Sequence, residues 1–367
     1  MKNIIYIVYN LVNAGPENVL YDICANLNRK KYNPIIIVLR KQILGVSIEH
    51  KFQQLGIEIY HFDFSTLELQ FFYNRVARKI KKILPGLDEY VVHAHGFHPA
   101  LIASNLKCKS ICTVHCISGE DFVMSNGKVL GTYMSWKLDK ILKKIDYPVA
   151  ISNFMADYYH YRIEKQIYRI YNGVGAKKLK EDSKTLRTKL KIPHNAYVVI
   201  IVGVLSERKN NLLIIEQLKK SQANFLCLII GDGPQMNDCL KLAEDDARFR
   251  FEGFRSNIIE YQSVADLCIS SALSEGLPLS VLEAINVGVP MLMSDIPPHK
   301  EIENAVSLDS VKTFSLEHCN LLDRFIQMKA CCFDRKELAE RACQLFGAKT
   351  MAIEYEKLYQ QAYQKNN

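Results

Sequence analysis

Apolar positions along the chain fall into two kinds of run. Short, nearly continuous stretches rich in Ile, Val and Tyr read as buried strands: "NIIYIVYN" (3–10), "NPIIIVLR" (33–40), "YVVHAHG" (90–96), "SICTVHC" (110–116) and "YPVAISN" (147–153). Between them apolar residues recur at helical spacing. In "PENVLYDICANLNRK" Pro16 stands at the start, where its missing N–H costs nothing. The second half repeats the alternation. Strands "AYVVIIVGVL" (196–205), "FLCLIIGDG" (225–233), "RFEGF" (250–254), "ADLCISSA" (265–272) and "VPMLMSD" (289–295) are separated by helical patterns such as "NLLIIEQLKKSQ" and "LSVLEAINVG".

Strands that alternate with helices predict parallel sheets covered on both faces. With 367 residues the chain is long for one core. The fold class expected is α/β, with two doubly wound Rossmann-like domains facing a central cleft. The first domain spans 1–175 and the second 176–350, with the boundary in the polar stretch 175–195. A helix over 351–367 is placed to pack back on the first domain. In such sheets a ligand sits outside the carboxyl ends of the strands.

Composition narrows the class. Hydrophobic residues make up 49% and charged residues 23%, the balance of a folded globular chain. No stretch approaches the ~20 apolar residues that span a bilayer, and the start reads as a strand rather than a secretory signal. The eleven scattered cysteines show no paired metal-ligand spacing and read as reduced thiols of a cytoplasmic protein. The net charge of +8 lies wholly in residues 1–170, which hold 22 Lys and Arg against 14 Asp and Glu. A basic first half attracts an anionic partner. The segment 71–84 reads as one basic amphipathic helix, with Arg75, Arg78, Lys79, Lys81 and Lys82 opposite Phe72, Val76, Ile80 and Ile83. It is either a membrane-surface helix or an ordinary solvated one.

Candidate chemistry gathers at strand ends. In "SEGLPLSVLEAINVG", Glu275 precedes a helix and Glu283 lies about one and a half turns inside it. Gly276 allows close backbone approach, and Gly276, Leu277, Pro278 and Leu279 form a helix start that favours an anion. A carboxylate can accept paired sugar hydroxyls; equally, the two glutamates can be a cap and a surface residue. "VGVLSERKN" puts Arg208 and Lys209 at another strand-to-helix turn, as phosphate ligands or a solvated pair. Gly231 and Gly233 in "IIGDGP" read as a structural turn, because Met236 stands where a dinucleotide motif needs its third glycine. His93, His95 and His98 surround one strand end, without a carboxylate or cysteine at metal spacing. His115 ends another strand and either faces the cleft or is a satisfied core residue.

In this order the segments "NAGPENVL", "VVHAHG", "TVH", "AISNF", "IYNGV", "VGVLSERKN", "IIGDGP", "FEGF" and "SEGLPLSVLEAINVGVPMLMSDIP" resemble glycosyltransferase family 4 proteins of the GT-B fold over nearly the whole chain. The resemblance implies that Glu275 lies near the transferred sugar and Glu283 on the nucleotide ribose. It implies Lys209 on the diphosphate, with Arg208 beside it, and Gly276 to Leu279 on phosphate and sugar. Gly15 would face the diphosphate, His115 the reacting sugar, and Phe254 the base. Two positions depart from the family pattern: Val204 stands where Arg is frequent, and Ala14 replaces the first glycine of the N-terminal loop.

The function implied is a retaining glycosyltransferase that moves a hexosyl group from a nucleotide-sugar, UDP-sugar favoured. The acceptor expected is a saccharide, lipid-linked, in bacterial surface-polysaccharide assembly. No cofactor and no metal are expected, since no Asp-x-Asp sequence is present. No nucleic-acid partner is expected either. The location expected is cytoplasmic, peripheral at the inner face of an anionic membrane. The alternatives are a non-catalytic nucleotide-sugar-binding subunit and a sugar-nucleotide epimerase of the same architecture.

Overall fold

The computed structural model describes residues 1–41, 47–84, 86–175 and 181–364. The chain folds as two units: Met1–Gly173 with Ala348–Asn367, and Val174–Gly347. The expected boundary stretch 175–195 falls partly on 176–180, outside the described residues. It is not all linker, because Asp182 caps a helix Ser183–Lys189 by accepting from the Thr185 N–H at 2.9 Å.

The first unit is built on a seven-stranded parallel sheet. In chain order its strands are β1 (Lys2–Val8), β2 (Tyr32–Val38), β3 (Glu58–His61), β4 (Val91–His95), β5 (Lys109–Val114), β6 (Tyr147–Ala150) and β7 (Tyr168–Arg169). The spatial order is β3-β2-β1-β4-β5-β6-β7. Central β1 pairs Ile5 with Ile35 on one side and Val92 on the other. Its residues Ile4 to Ile7 are fully buried, as a strand covered on both faces requires. The second unit has β8 (Val198–Val202), β9 (Leu226–Ile230), β10 (Phe249–Gly253), β11 (Leu267–Ser270), β12 (Met291–Ser294) and β13 (Val311–Phe314), in the order β10-β9-β8-β11-β12-β13.

In each sheet the winding reverses once. The chain runs outward from β1 to β3 and then crosses to β4 on the other side of β1. It runs from β8 to β10 and then crosses to β11 beside β8. The crevices at the ends of β1/β4 and β8/β11 are the positions where open α/β sheets bind ligands.

Three strands have no counterpart in the apolar runs. β3 and β13 are four-residue edge strands that are only partly buried, and β7 has two residues. The segment 71–84 is not one helix. Helix Thr66–Phe71 ends at Phe72, and a second helix runs Tyr73–Ile83. Val76 and Ile80 pack inward, whereas Phe72 and Ile83 are exposed. The first helix starts at a reciprocal capping box of Ser65 and Glu68, and the split falls at Phe72, whose backbone leaves the helical region (φ −113°, ψ 29°).

The helix Ala348–Gln364 belongs to the first unit, and its Tyr355 and Tyr359 are buried beneath β1, β4 and β5. The Tyr359 hydroxyl lies 2.9 Å from His93 Nδ1 and 2.9 Å from the Tyr6 hydroxyl. Thr113 Oγ1 lies 2.8 Å from His93 Nε2 and 2.8 Å from the Tyr355 hydroxyl. Each buried polar atom in this cluster has a partner, so the helix is fixed by hydrogen bonds as well as by apolar area.

Gly231 shows why the β9 turn needs glycine. Its φ is +144°, and a Cβ there would lie 1.8 Å from the Gly203 carbonyl oxygen. The turn is a spacer that lets the β9 and β8 ends touch. Gly231→Ala is therefore expected to destabilise the protein by about 1–3 kcal/mol through overpacking. A denaturant midpoint equal to wild type would overturn this account.

Candidate active site

The second unit's crevice is assembled by two loops. The first leaves β8 at Gly203, passes through a single 3₁₀ turn, Glu207–Lys209, and enters helix Asn211–Lys219 through Asn210 in the left-handed region (φ 52°). It is held at both flanks. The Leu205 N–H donates to Asp232 O at 3.0 Å, and Ser271 Oγ donates to Asn210 O at 2.7 Å. The Leu273 N–H donates to Arg208 O at 2.8 Å. The second loop leaves β11 and enters helix Leu279–Asn286 with Pro278 at the N-cap, which supplies no side-chain cap.

Between the loops Glu275 is nearly buried, at 9% exposure. Lys209 Nζ lies 2.5 Å from its Oε1, and an Arg208 guanidinium nitrogen lies 3.1 Å from its Oε2. Arg208 also donates to the Ser274 carbonyl at 2.7 Å. Burial pushes the carboxyl up, but Lys209 and then Arg208 outweigh it, so Glu275 titrates below the usual carboxylate range. The carboxylate is thus ionised, oriented and embraced by two cations. Removing one partner from such a buried pair costs about 3–5 kcal/mol, because a buried charge is left uncompensated.

His299 was not singled out in the sequence. It sits in the first turn of helix Pro297–Val306, fully buried, and shares the field of Glu275 and Lys209. Its Nδ1 donates to Ser294 O at 2.9 Å, which fixes the tautomer and leaves the buried Nε2 without a protein partner. Burial lowers its pKa to about 4, so the ring is neutral. Its only local mark in the sequence is a lone histidine after the pair Pro297–Pro298, directly after an apolar strand.

The remaining expected donor residues are placed as follows. Gly276, Leu277 and Pro278 are buried, and Leu279 opens the helix. Glu283 lies one turn inside that helix, half-buried. Phe254 is 71% exposed at the end of β10, the edge strand, two strands from β8. Val204 is exposed and brings no charge, so Arg208 is the second cation beside Glu275.

In the first unit Gly15 is the first residue of helix Gly15–Asn26, rather than part of a flexible loop. His115 follows β5, half-buried, with Nε2 3.1 Å from His95 Nδ1. It opens on a largely apolar cavity of about 360 Å³ at the β1/β4 crevice, shared with Glu17, His95, His98 and Phe122. Burial lowers His115 and His98 to about 4 and His93 to about 3, and raises Glu17 to about 7. His93 is tied into the hydrogen-bonded cluster under the sheet, and the His95 ring lies 4.3 Å from it, tilted by 35°. Among the described residues no group of three or more His, Cys, Asp and Glu side chains is placed to hold a metal ion.

Two parallel-sheet Rossmann-like units with a cation-clasped glutamate at one switch point define a GT-B glycosyltransferase. The family model for Glycosyltransferase Family 4 matches residues 14–178, and that for Glycosyl transferases group 1 matches 182–307. The chain belongs to the family 4 glycosyltransferases. It is 24% identical over 358 residues to the O-antigen biosynthesis glycosyltransferase WclY of Escherichia coli, covering 92% of this chain and 97% of that one. It is 28% identical over 240 residues to the UDP-Gal:alpha-D-GlcNAc-diphosphoundecaprenol alpha-1,3-galactosyltransferase of Escherichia coli, covering 59% and 60%. Among solved structures it resembles Anabaena HepE in complex with UDP and glucose (TM-score 0.76, 16% identity, 98% and 100% covered). It also resembles sucrose-phosphate synthase of Thermosynechococcus elongatus (TM-score 0.80, 14% identity, 100% of both chains).

The neutral histidines predict acid lability. The unfolded forms of His93, His98, His115 and His299 take up protons near pH ~6.5, before the folded forms do. Stability is full above that value and is lost as the pH falls toward about 4. Glu17 acts in the opposite sense, since its folded form keeps its proton up to about 7, and offsets one of the four. Denaturant midpoints should therefore drop from about pH 7 to about pH 5. A flat profile would refute the buried, neutral assignment.

Proposed function

We propose that this glycosyltransferase is a retaining, metal-independent enzyme that transfers a hexosyl group from a nucleotide-sugar, UDP-sugar favoured, to a lipid-linked saccharide. The observation that carries the reading is Glu275 held between Lys209 and Arg208 at the β8/β11 switch point, beside the start of helix Leu279–Asn286. Two cations against one carboxylate leave a single net positive charge at this crevice. The uncapped helix start adds N–H groups and the positive end of its dipole.

The reaction needs that arrangement. As the bond from the anomeric carbon to phosphate oxygen breaks, negative charge grows on the leaving diphosphate and positive charge on the sugar. Lys209, Arg208 and the helix start stabilise the first. Glu275, already oriented, accepts from the sugar hydroxyls, while Glu283 accepts from the ribose and Phe254 lies against the base. The acceptor oxygen forms its bond on the face the diphosphate leaves, and the acceptor proton passes to a diphosphate oxygen. His115, neutral at pH ~7 because it is buried, approaches the reacting sugar as a hydrogen-bonding group rather than as a cation.

The names of the similar proteins support a UDP-sugar donor and a role in surface-polysaccharide assembly. The basic first half supports a cytoplasmic enzyme that works peripherally at an anionic membrane. Among the described residues no helix is long and apolar enough to cross a membrane.

Two measurements test this reading. A thermal-shift series with UDP-, GDP- and ADP-sugars should single out UDP-sugars, with about 2.7 kcal/mol of stabilisation at a hundredfold excess over Kd. Equal shifts for all three nucleotides would defeat the donor assignment. In a sugar-transfer assay Lys209→Ala and Glu275→Gln should each lower kcat by roughly 10²–10³-fold. Full activity in either variant removes that residue from the mechanism.

A further inference from the structure

Residues 128–144 form one long helix, Lys128–Lys144, on the surface of the first unit. Its outward stripe changes character along its length. Val129 (87% exposed), Leu130, Tyr133 and Trp136 (54%) come first, and Lys140 and Lys144 follow at helical spacing. Beside it lies the end of helix Thr66–Phe71, where Phe71 and Phe72 are also exposed. The two meet in a groove of about 390 Å³ lined by Phe71, Tyr133, Trp136, Lys137, Lys140 and Lys144, among others.

Lys137 anchors the groove by donating to the Gln70 carbonyl at 2.9 Å. Its ammonium lies 5.9, 5.5 and 5.7 Å from the rings of Phe71, Tyr73 and Tyr133. Lys140 lies 5.8 Å from the Trp136 ring. Among the described residues the nearby carboxylates are engaged elsewhere. Asp139, on the same helix, is taken by Arg162 in a bidentate pair, and Glu68 is occupied by Ser65 and Lys79. Folding has therefore left six large apolar side chains in the open together with Lys140 and Lys144, beside a half-buried Lys137, which a surface with no partner does not favour.

We propose that this groove is a docking surface for the anionic headgroup layer of a lipid bilayer. The charge and the arrangement select that occupant. Tyr and Trp bodies with polar tips suit the boundary between headgroups and acyl chains. Lysines on flexible stems reach anionic headgroups while their methylenes cover apolar surface. A protein partner would instead meet a core from which lysine is depleted. Here the lysines follow directly on the aromatics along one helix face, as on a face that stays wet and charged at one end. The neighbouring helix Tyr73–Ile83 adds Arg75, Arg78 and Lys82 on its exposed side, but its buried Val76, Ala77 and Ile80 point into the unit. It contributes charge, and the groove contributes the insertion.

The inference deepens the reading of a membrane-bound acceptor but does not need it as evidence. The assay uses neither donor nor acceptor, so its failure leaves the transferase reading standing, and failure of donor binding leaves this surface standing.

Trp136 is the single tryptophan of the chain and reports directly. Titrating the full chain with phosphatidylglycerol-containing vesicles should shift its emission to the blue and carry the protein up in flotation. Phosphatidylcholine vesicles should do neither, and high salt should reverse the effect. The double variant Lys140→Glu with Lys144→Glu should weaken vesicle binding by about tenfold or more, while its circular dichroism and donor-induced thermal shift stay as in wild type. Three outcomes would overturn the proposal. One is no blue shift and no flotation. Another is flotation that survives the double variant but is abolished by Arg78→Glu with Lys82→Glu. The third is lipid-independent dimerisation in sedimentation, lost in the double variant, which would make the groove a contact between copies.

Discussion

A carboxylate taken almost completely out of water sets the terms for the second unit. Desolvation alone would return Glu275 to its neutral acid, so ionisation requires cations at contact distance. Lys209 and Arg208 meet that requirement only if their loop is immobilised, and much of the surrounding structure does this. Ser271 and the backbone of Leu273 bind the loop from the β11 side. Asp232 and the β9 turn hold it from the other, where Gly231 is small enough for two backbones to touch. The neighbouring helix Pro297–Val306 contributes His299, whose tautomer is set by a main-chain carbonyl. A fixed charge cluster of this kind undergoes little reorganisation when a new charge develops beside it, which is the property an anionic leaving group exploits.

The first unit solves a different electrostatic problem. It carries the whole positive excess of the chain, yet the crevice at β1/β4 is close to neutral. Burial holds His95, His98 and His115 uncharged and keeps Glu17 protonated up to about neutrality. The positive charge lies instead on the outer faces of helices Tyr73–Ile83 and Lys128–Lys144. Charge that attracts an anionic surface is thus kept apart from the groups that would meet a neutral sugar hydroxyl. Beneath them His93 and Thr113 are held by Tyr359 and Tyr355, which the chain contributes only after it has built the other unit.

The buried strands were the legible part of the fold, because a strand covered on both faces must be apolar throughout and so stands out in the sequence. The edge strands β3 and β13 were not legible, since half their residues face water and the contrast disappears. The segment 71–84 was read as one helix because its periodicity continues through Phe72. The break comes from the backbone of Phe72, which leaves the helical region, a change of dihedral that periodicity does not register. In the site, Lys209, Arg208 and Glu275 stood out because they fall at strand-to-helix turns, the binding edge of a parallel sheet, inside segments that resemble the family. His299 did not, since a single histidine after a proline pair has no spacing to mark it.

The sequence by itself determined the class of fold, the number of sheets and which loops would carry charge. These follow from the order of apolar runs, and order along the chain is what a sequence records directly. Only the tertiary structure decided that Arg208 and Lys209 both close on Glu275, 66 residues or more away, and that a neutral His299 stands behind them. It alone brought the far end of the chain under His93 and set Phe71 beside Trp136 in one basic groove. Those pairings depend on where parallel strands cross over. A residue's place at a sheet edge is fixed by the packing of every element between, and no local pattern contains that information.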